Sequence, residues 1–174
     1  MSFPLYNRGW KQDIAREFPN NEVLFIDSPL YVHLQQKRME SRVARAIEFI
    51  NKSSEPVFIL SHSFGGILAR VIIQKVEPKK ICGVITMASP HTMNYAFVPY
   101  AQKRLGVYKK QIPHDIPIQT YGGWFDMVVA FWFSSMKNVP HENLLANHKS
   151  FLFNKKVRRM IIQKMRDMIK QKDI

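Results

Sequence analysis

Residues 56–73 read PVFILSHSFGGILARVII, and this stretch decides the fold. Val57-Phe58-Ile59-Leu60 is a short apolar run suited to a buried parallel strand. Residues 65–75 are apolar nearly all round, which predicts a well-buried helix. Between the two, Ser61-His62-Ser63-Phe64-Gly65 places a serine on the turn from strand to helix. The spacing is that of the nucleophile elbow G-x-S-x-G, with Ser61 in place of the first glycine. In so tight a turn the positions two before and two after the serine pack on each other. A hydroxymethyl group at 61 fits there when 65 has no side chain. The helix start behind Ser63 offers N–H groups and a positive dipole end to an oxyanion, with the Phe64 N–H as the expected first donor. The competing reading is a Ser/Gly-rich turn in a non-catalytic α/β protein.

Working outward, short β-rich runs alternate with longer helical patterns, the signature of an α/β fold with a mostly parallel sheet. Residues 8–18 predict a helix with Trp10, Ile14 and Phe18 on one face, and residues 22–27 a short buried strand. Residues 36–51 align Met39, Val43, Ala46, Ile47 and Ile50 on one stripe of an amphipathic helix. Further strands are predicted at 56–61, 81–88 and 116–121, and a helix over the last 20 residues packed through Val157, Ile161, Met165 and Met168. No repeat or Gly/Ser linker interrupts the chain, so residues 1–174 read as one domain. Residues 90–114 fit no element. An excursion there, between two strands at their C-terminal ends, reads as a small lid or substrate loop, or as an irregular surface helix and loop.

A nucleophilic serine needs an acid and a histidine downstream, in that order. Before the final helix the aspartates are Asp115 and Asp126. Asp126 follows a predicted strand in Tyr121-Gly-Gly-Trp-Phe-Asp126, where two glycines permit a sharp loop, whereas Asp115 precedes that strand. Asp126 is the favoured acid, with capping of the next segment as its other role. His141 and His148 are the candidate bases. His148 lies just before the last helix and is favoured; His141 reads as an exposed loop histidine. His62 adjoins Ser63 but points away on a tight elbow, so packing is its expected role. His33 and His114 have no motif around them. His91, in Ser89-Pro90-His91 at the end of the strand beside the elbow, and Trp124 are candidate substrate contacts. The run 127–133, MVVAFWF, reads as the lining of an acyl pocket or as a core strand or helix.

Composition limits the partners. The chain has 174 residues, 46% of them hydrophobic and 12% aromatic, which excludes disorder. One cysteine, Cys82, excludes a disulfide framework and any cysteine-based zinc site, and makes a reducing, cytoplasmic compartment the default. No apolar run is long enough for a spanning helix, and the N-terminus lacks the layout of a secretory signal. The formal charge is +13, an attraction for polyanions. No stacking platform or nucleic-acid motif accompanies it, so nucleic acid is not the expected partner. Residues 154–174 hold eight Lys or Arg and two Asp. On a helical wheel Lys155, Lys156, Arg159, Arg166 and Lys170 share one face, an expected peripheral contact with anionic membrane. A solvated face without a partner is the alternative.

With Ser63, Asp126 and His148 in place, the chain resembles the α/β-hydrolase superfamily, a three-layer α/β fold. It is more closely similar to the lipase-like domain of the GPI inositol-deacylase family. The stretches SHSFGGILAR, VITMASPH, IQTYGGWFDMVV and NHKSFLFNKKVRRMI carry the resemblance, in the family's order, over most of residues 20–170. It implies hydrolysis of ester bonds in lipid-like substrates without a cofactor or metal, with Ser63 as nucleophile, Asp126 as acid and His148 as base. Where the family often has Asp before that histidine, this chain has Asn147.

The start of the chain departs from the pattern. Phe3-Pro4 followed by Trp10 looks like an HGFP-type oxyanion loop, with Met1-Ser2 where His-Gly would stand and no strand before it. Either one strand is lost through a truncated or misassigned start, or the hydrolase is reduced and its second oxyanion donor is the Phe3 N–H. Losing one donor costs about 3–4 kcal/mol of transition-state stabilisation, so such an enzyme would be weak. Two functions compete on these residues: a serine esterase or lipase, and a non-catalytic protein on a hydrolase scaffold that binds anionic lipid surfaces.

Overall fold

A computed structural model describes residues 8–24, 26, 36–92, 113 and 115–172. Its centre is a parallel sheet of β1 (Val57–His62), β2 (Ile81–Met87), β3 (Ile118–Gly123) and β4 (His141–Leu144), in the order β1-β2-β3-β4. Helices α1 (Arg8–Glu17), α2 (Gln36–Lys52), α3 (Gly65–Ile73), α4 (Ser150–Phe153) and α5 (Lys155–Lys172) flank it. Successive side chains of a strand point to opposite faces, which divides the core in two. Val57, Ile59, Val84 and Ile118 meet α2 and α3 on one face; Phe58, Leu60, Ile85, Met87, Tyr121 and Leu144 meet α1, α4 and α5 on the other. The three layers of an α/β-hydrolase fold are thus present, and every strand pair is parallel.

The expected helical stripes are seen. Met39, Val43, Ala46 and Ile50 of α2 are buried, as are Trp10 and Ile14 of α1 and Ile161, Met165 and Met168 of α5. Trp10 reaches across to α4, its indole N–H donating to the Phe151 carbonyl at 3.0 Å.

Several expectations need correction. Residues 22–24 and 26, placed in a strand by their apolar run, adopt no strand; Ile26 packs, partly buried, on the α2–α3 core. The strand expected at 116–121 runs from Ile118 to Gly123 and contains both glycines. His141 is not an exposed loop residue but begins β4. On α5, Arg158 is buried and donates from Nε to Asp13 Oδ2 at 2.6 Å, tying α5 to α1. Arg166 is half-buried against Glu17, so the basic face narrows to Lys155, Lys156, Arg159 and Lys170. Among the described residues no helix is long and apolar enough to cross a membrane. Residues 93–112 and His114, the bulk of the expected lid or substrate loop, lie outside the described residues, as do Phe3 and His33.

Because all four strands are parallel, the loops after His62, Met87, Gly123 and Leu144 gather at one end of the sheet. Open α/β sheets place their ligands there.

Candidate active site

Ser63 has φ 55°, a left-handed conformation that costs a non-glycine residue roughly 1–2 kcal/mol. The surrounding backbone holds it. Its N–H donates to the Met87 carbonyl at 2.9 Å, and its carbonyl accepts from the Gly66 N–H at 3.0 Å, opening α3. Phe64 follows at the N-cap position of α3. The glycines differ in role. A Cβ built on Gly65 would sit 3.6 Å from Ser61 Cβ, an ordinary contact. One built on Gly66 would sit 2.2 Å from Ser89 Oγ, so Gly66 is what lets α3 descend onto the end of β2.

At the end of β3, Asp126 is buried and fully engaged. Oδ1 accepts the N–H groups of Val128 and Val129, both at 2.8 Å, and Oδ2 accepts from His148 Nδ1 at 2.8 Å. Asp126 thus both pairs with His148 and caps the segment that follows it. Burial raises the carboxyl pKa; the His148 hydrogen bond and the Val129 and Val128 N–H groups outweigh it, so the pKa falls below the ordinary value. Gly122 and Gly123 serve by making room and not by turning. A Cβ at 122 would meet Asn143 Oδ1 at 2.3 Å, and one at 123 the Ala146 carbonyl oxygen at 2.5 Å. Their absence of side chains lets β3 close against β4 and the loop beyond it, where His148 sits.

His148 is fixed three ways. Asn147 Oδ1 accepts from the Ser150 N–H at 3.0 Å, and Ser150 Oγ accepts from the Asn147 N–H at 3.1 Å, closing a turn around it. Asp126 takes Nδ1. The third support is His62, whose Nε2–H donates to the His148 carbonyl at 3.0 Å while its ring tilts against the His148 ring, centroids 4.5 Å apart. Burial and the neighbouring His148 push the His62 pKa down to about 3, so His62 stays neutral beside His148. Residue types gave only packing for His62; its position immediately before the elbow serine, on the last residue of β1, was the available signal. Among the described residues no hydrogen bond joins His148 to Ser63 Oγ. Such contacts often tighten only when substrate binds. His141 has both ring nitrogens committed, to Thr120 Oγ1 at 2.8 Å and Asn143 Oδ1 at 3.0 Å.

His91 lies elsewhere than at a surface. Ala88, at φ 47°, turns the chain after β2, and the His91 ring folds inward until it is 1% exposed, with Nε2 joined to Thr86 Oγ1 at 2.8 Å. Burial, then the charges of Arg70 and His141, push its pKa down to about 3. Trp124 is exposed, with its ring 4.3 Å from that of Phe131. The run 127–133 forms neither a core strand nor an enclosed wall: its end is a short 3-10 turn, Phe131–Phe133, and Met127 is 96% exposed.

A family model described as a PGAP1-like alpha/beta domain matches residues 28–143, a span that includes Ser63, His91 and Asp126 and ends before His148. No curated protein sequence matches the chain. Among solved structures, the esterase domain of a Rhodothermus marinus protein superposes with a TM-score of 0.56 at 13% identity, over 73% of this chain and 66% of that one. A protein assigned as a YdeN-like hydrolase from Pectobacterium atrosepticum gives 0.58 at 15% identity, over 92% and 84%. A lipase-esterase related protein from Clostridium acetobutylicum gives 0.51 at 10% identity, over 75% of each chain. At such identities the likeness establishes the fold, and the family rests on the matched span. The chain belongs to the PGAP1-like alpha/beta domain family and has the α/β-hydrolase fold.

Proposed function

We propose that the protein is a serine hydrolase that cleaves carboxylic esters of apolar, lipid-like substrates through an acyl-enzyme. The observation that carries this reading is the pairing of His148 Nδ1 with the buried Asp126 carboxylate at 2.8 Å, at the same end of the sheet as a serine in the left-handed elbow conformation. With Nδ1 held as the N–H donor, Nε2 is the nitrogen left to take a proton. Ser63 Oγ attacks the ester carbonyl carbon as its proton passes to His148 Nε2. The oxyanion forms against the Phe64 N–H at the start of α3. Collapse breaks the bond to the alkoxy oxygen, which leaves as the alcohol with the proton from Nε2. Water then attacks the acyl-enzyme, gives its proton to Nε2, and Ser63 recovers it on release of the acid. Asp126 keeps Nδ1–H oriented and stabilises the imidazolium throughout. His62, held neutral, adds no opposing charge beside it.

Hydrolysis of p-nitrophenyl esters by the wild type and by Ser63→Ala tests the reading. A fall of about 10³-fold or more in kcat/KM supports it, and equal rates exclude it. A second reading, a non-catalytic scaffold, draws on the lack of a hydrogen bond to Ser63 Oγ among the described residues. It predicts the same background rate for both proteins.

A further inference from the structure

We propose that the loops around His148 form a membrane-docking face, in which Phe125, Met127, Trp132 and Leu145 enter the headgroup region of an anionic lipid leaflet. The substrate side of this inference rests on the hydrolase reading; the docking does not.

Phe125, Met127 and Leu145 are 64%, 96% and 82% exposed, and Val128 and Trp132 are exposed as well. They belong to one surface. The Trp124 N–H donates to the Leu144 carbonyl at 3.0 Å and the Phe125 N–H to the Ala146 carbonyl at 3.1 Å, stitching the two loops side by side. On the other flank the Trp124 ring meets Phe131 at 4.3 Å, and Phe131 meets Trp132 at 4.7 Å. An apolar, tryptophan-bearing patch of this kind marks an interaction surface. Amphipathic indole rings favour the boundary between headgroups and acyl chains.

Charge selects the occupant. The chain carries +13, so a second copy is repelled and an anionic surface attracted. Lys149, Lys155 and Lys156, on the segment that follows Leu145, are exposed, and Lys149 lines a shallow hollow with Asn147 and Phe153. The acids between residues 124 and 156 are Asp126, buried and engaged, and Glu142. This moves the expected membrane contact from the outer face of α5 to the loops that carry the candidate base and acid. An ester dissolved in the leaflet would then meet Ser63 without leaving the lipid.

The test is sedimentation of the full chain with vesicles of phosphatidylcholine alone and of phosphatidylcholine with phosphatidylserine, at low and physiological salt. The wild type is expected to sediment with the anionic vesicles, less so as salt screens the lysines. Met127→Ser/Leu145→Ser is expected to lower the bound-to-free ratio at least about tenfold, since both side chains lose their transfer into lipid. Its turnover of a soluble ester and its melting temperature should stay as in the wild type. Unchanged partitioning of that variant, no partitioning of the wild type, or equal partitioning to both vesicle types overturns the proposal. So does a dimer of the wild type that the same variant dissociates, because the occupant would then be a second copy. Ester turnover without vesicle binding removes the docking face and leaves the hydrolase. Vesicle binding without turnover, equal in Ser63→Ala, removes the hydrolase and leaves the face.

Discussion

Two histidines at the same end of the sheet make contacts of the same length in opposite surroundings. His148 meets a carboxylate at 2.8 Å with its side chain 16% exposed; His91 meets a threonine hydroxyl at 2.8 Å and is sealed under α3. A carboxylate partner fixes the orientation of an imidazole, and exposure lets a substrate reach it. His91 has neither, and the positive charge of Arg70 opposes its protonation. It pins the Ala88–His91 turn, and that turn takes up the space which the missing side chain of Gly66 leaves open. His91 therefore holds the elbow in place, while His148 has the pairing that the proposed hydrolysis requires of a proton carrier.

The comparison can be broken most directly by exchange of losses. His148→Ala should lower ester turnover by about 10³–10⁴-fold with the melting temperature little changed, as should Asp126→Ala and Ser63→Ala. These act as a unit, so double replacements should cost little more than single ones. His91→Asn should do the reverse, keeping turnover per folded molecule while lowering the melting temperature. Full activity in His148→Ala with loss in His141→Ala would reverse the assignment of the base.

The next effect is steric. Gly66→Ala forces a Cβ into Ser89 and should destabilise by about 1–3 kcal/mol in urea unfolding. Gly65→Ala, with 3.6 Å to Ser61 Cβ, should be neutral or stabilising by about 0.4–1 kcal/mol. Equal effects would mean that the elbow is not pressed onto the end of β2 as described.

Acid sharpens the same contrast. His62 and His91 ionise near 3 when folded but near 6.5 when the chain is open. Between those values the unfolded state holds more protons, so stability should fall as pH drops from 6.5 toward 3. The slope is up to about 1.4 kcal/mol per pH unit for each histidine. Urea midpoints across that range check it, and His91→Asn should shallow the slope. The smallest expected effect on turnover is that of His62→Phe, about three- to tenfold, the worth of one hydrogen bond to the His148 loop. His62→Gln, which can donate to the same carbonyl, should recover most of it.

What could be read in the residues follows from how local each signal is. The strand, elbow and helix of 57–73 were legible because a buried parallel strand and a buried helix each write a continuous apolar run, and the tight turn demands small residues. The pairing of Asp126 with His148 was legible from their order after Ser63. Strand β4 was not: HENL buries only Leu144 and shows neither alternation nor an apolar run. The burial of Arg158 was not legible either, because its partner Asp13 lies on another helix far away in sequence. The run 127–133 misled because hydrophobicity does not reveal which side of a loop faces water. The described residues of the run at 22–27, namely 22–24 and 26, failed as a strand for a related reason, since strand pairing is a tertiary property.

The most direct measurement is labelling of the folded wild-type protein by a fluorophosphonate probe, located by peptide mass spectrometry. The account predicts stoichiometric modification of Ser63, lost on prior denaturation and slowed by orders of magnitude in His148→Ala. Absence of label on Ser63, or equal labelling of the denatured chain, would contradict it.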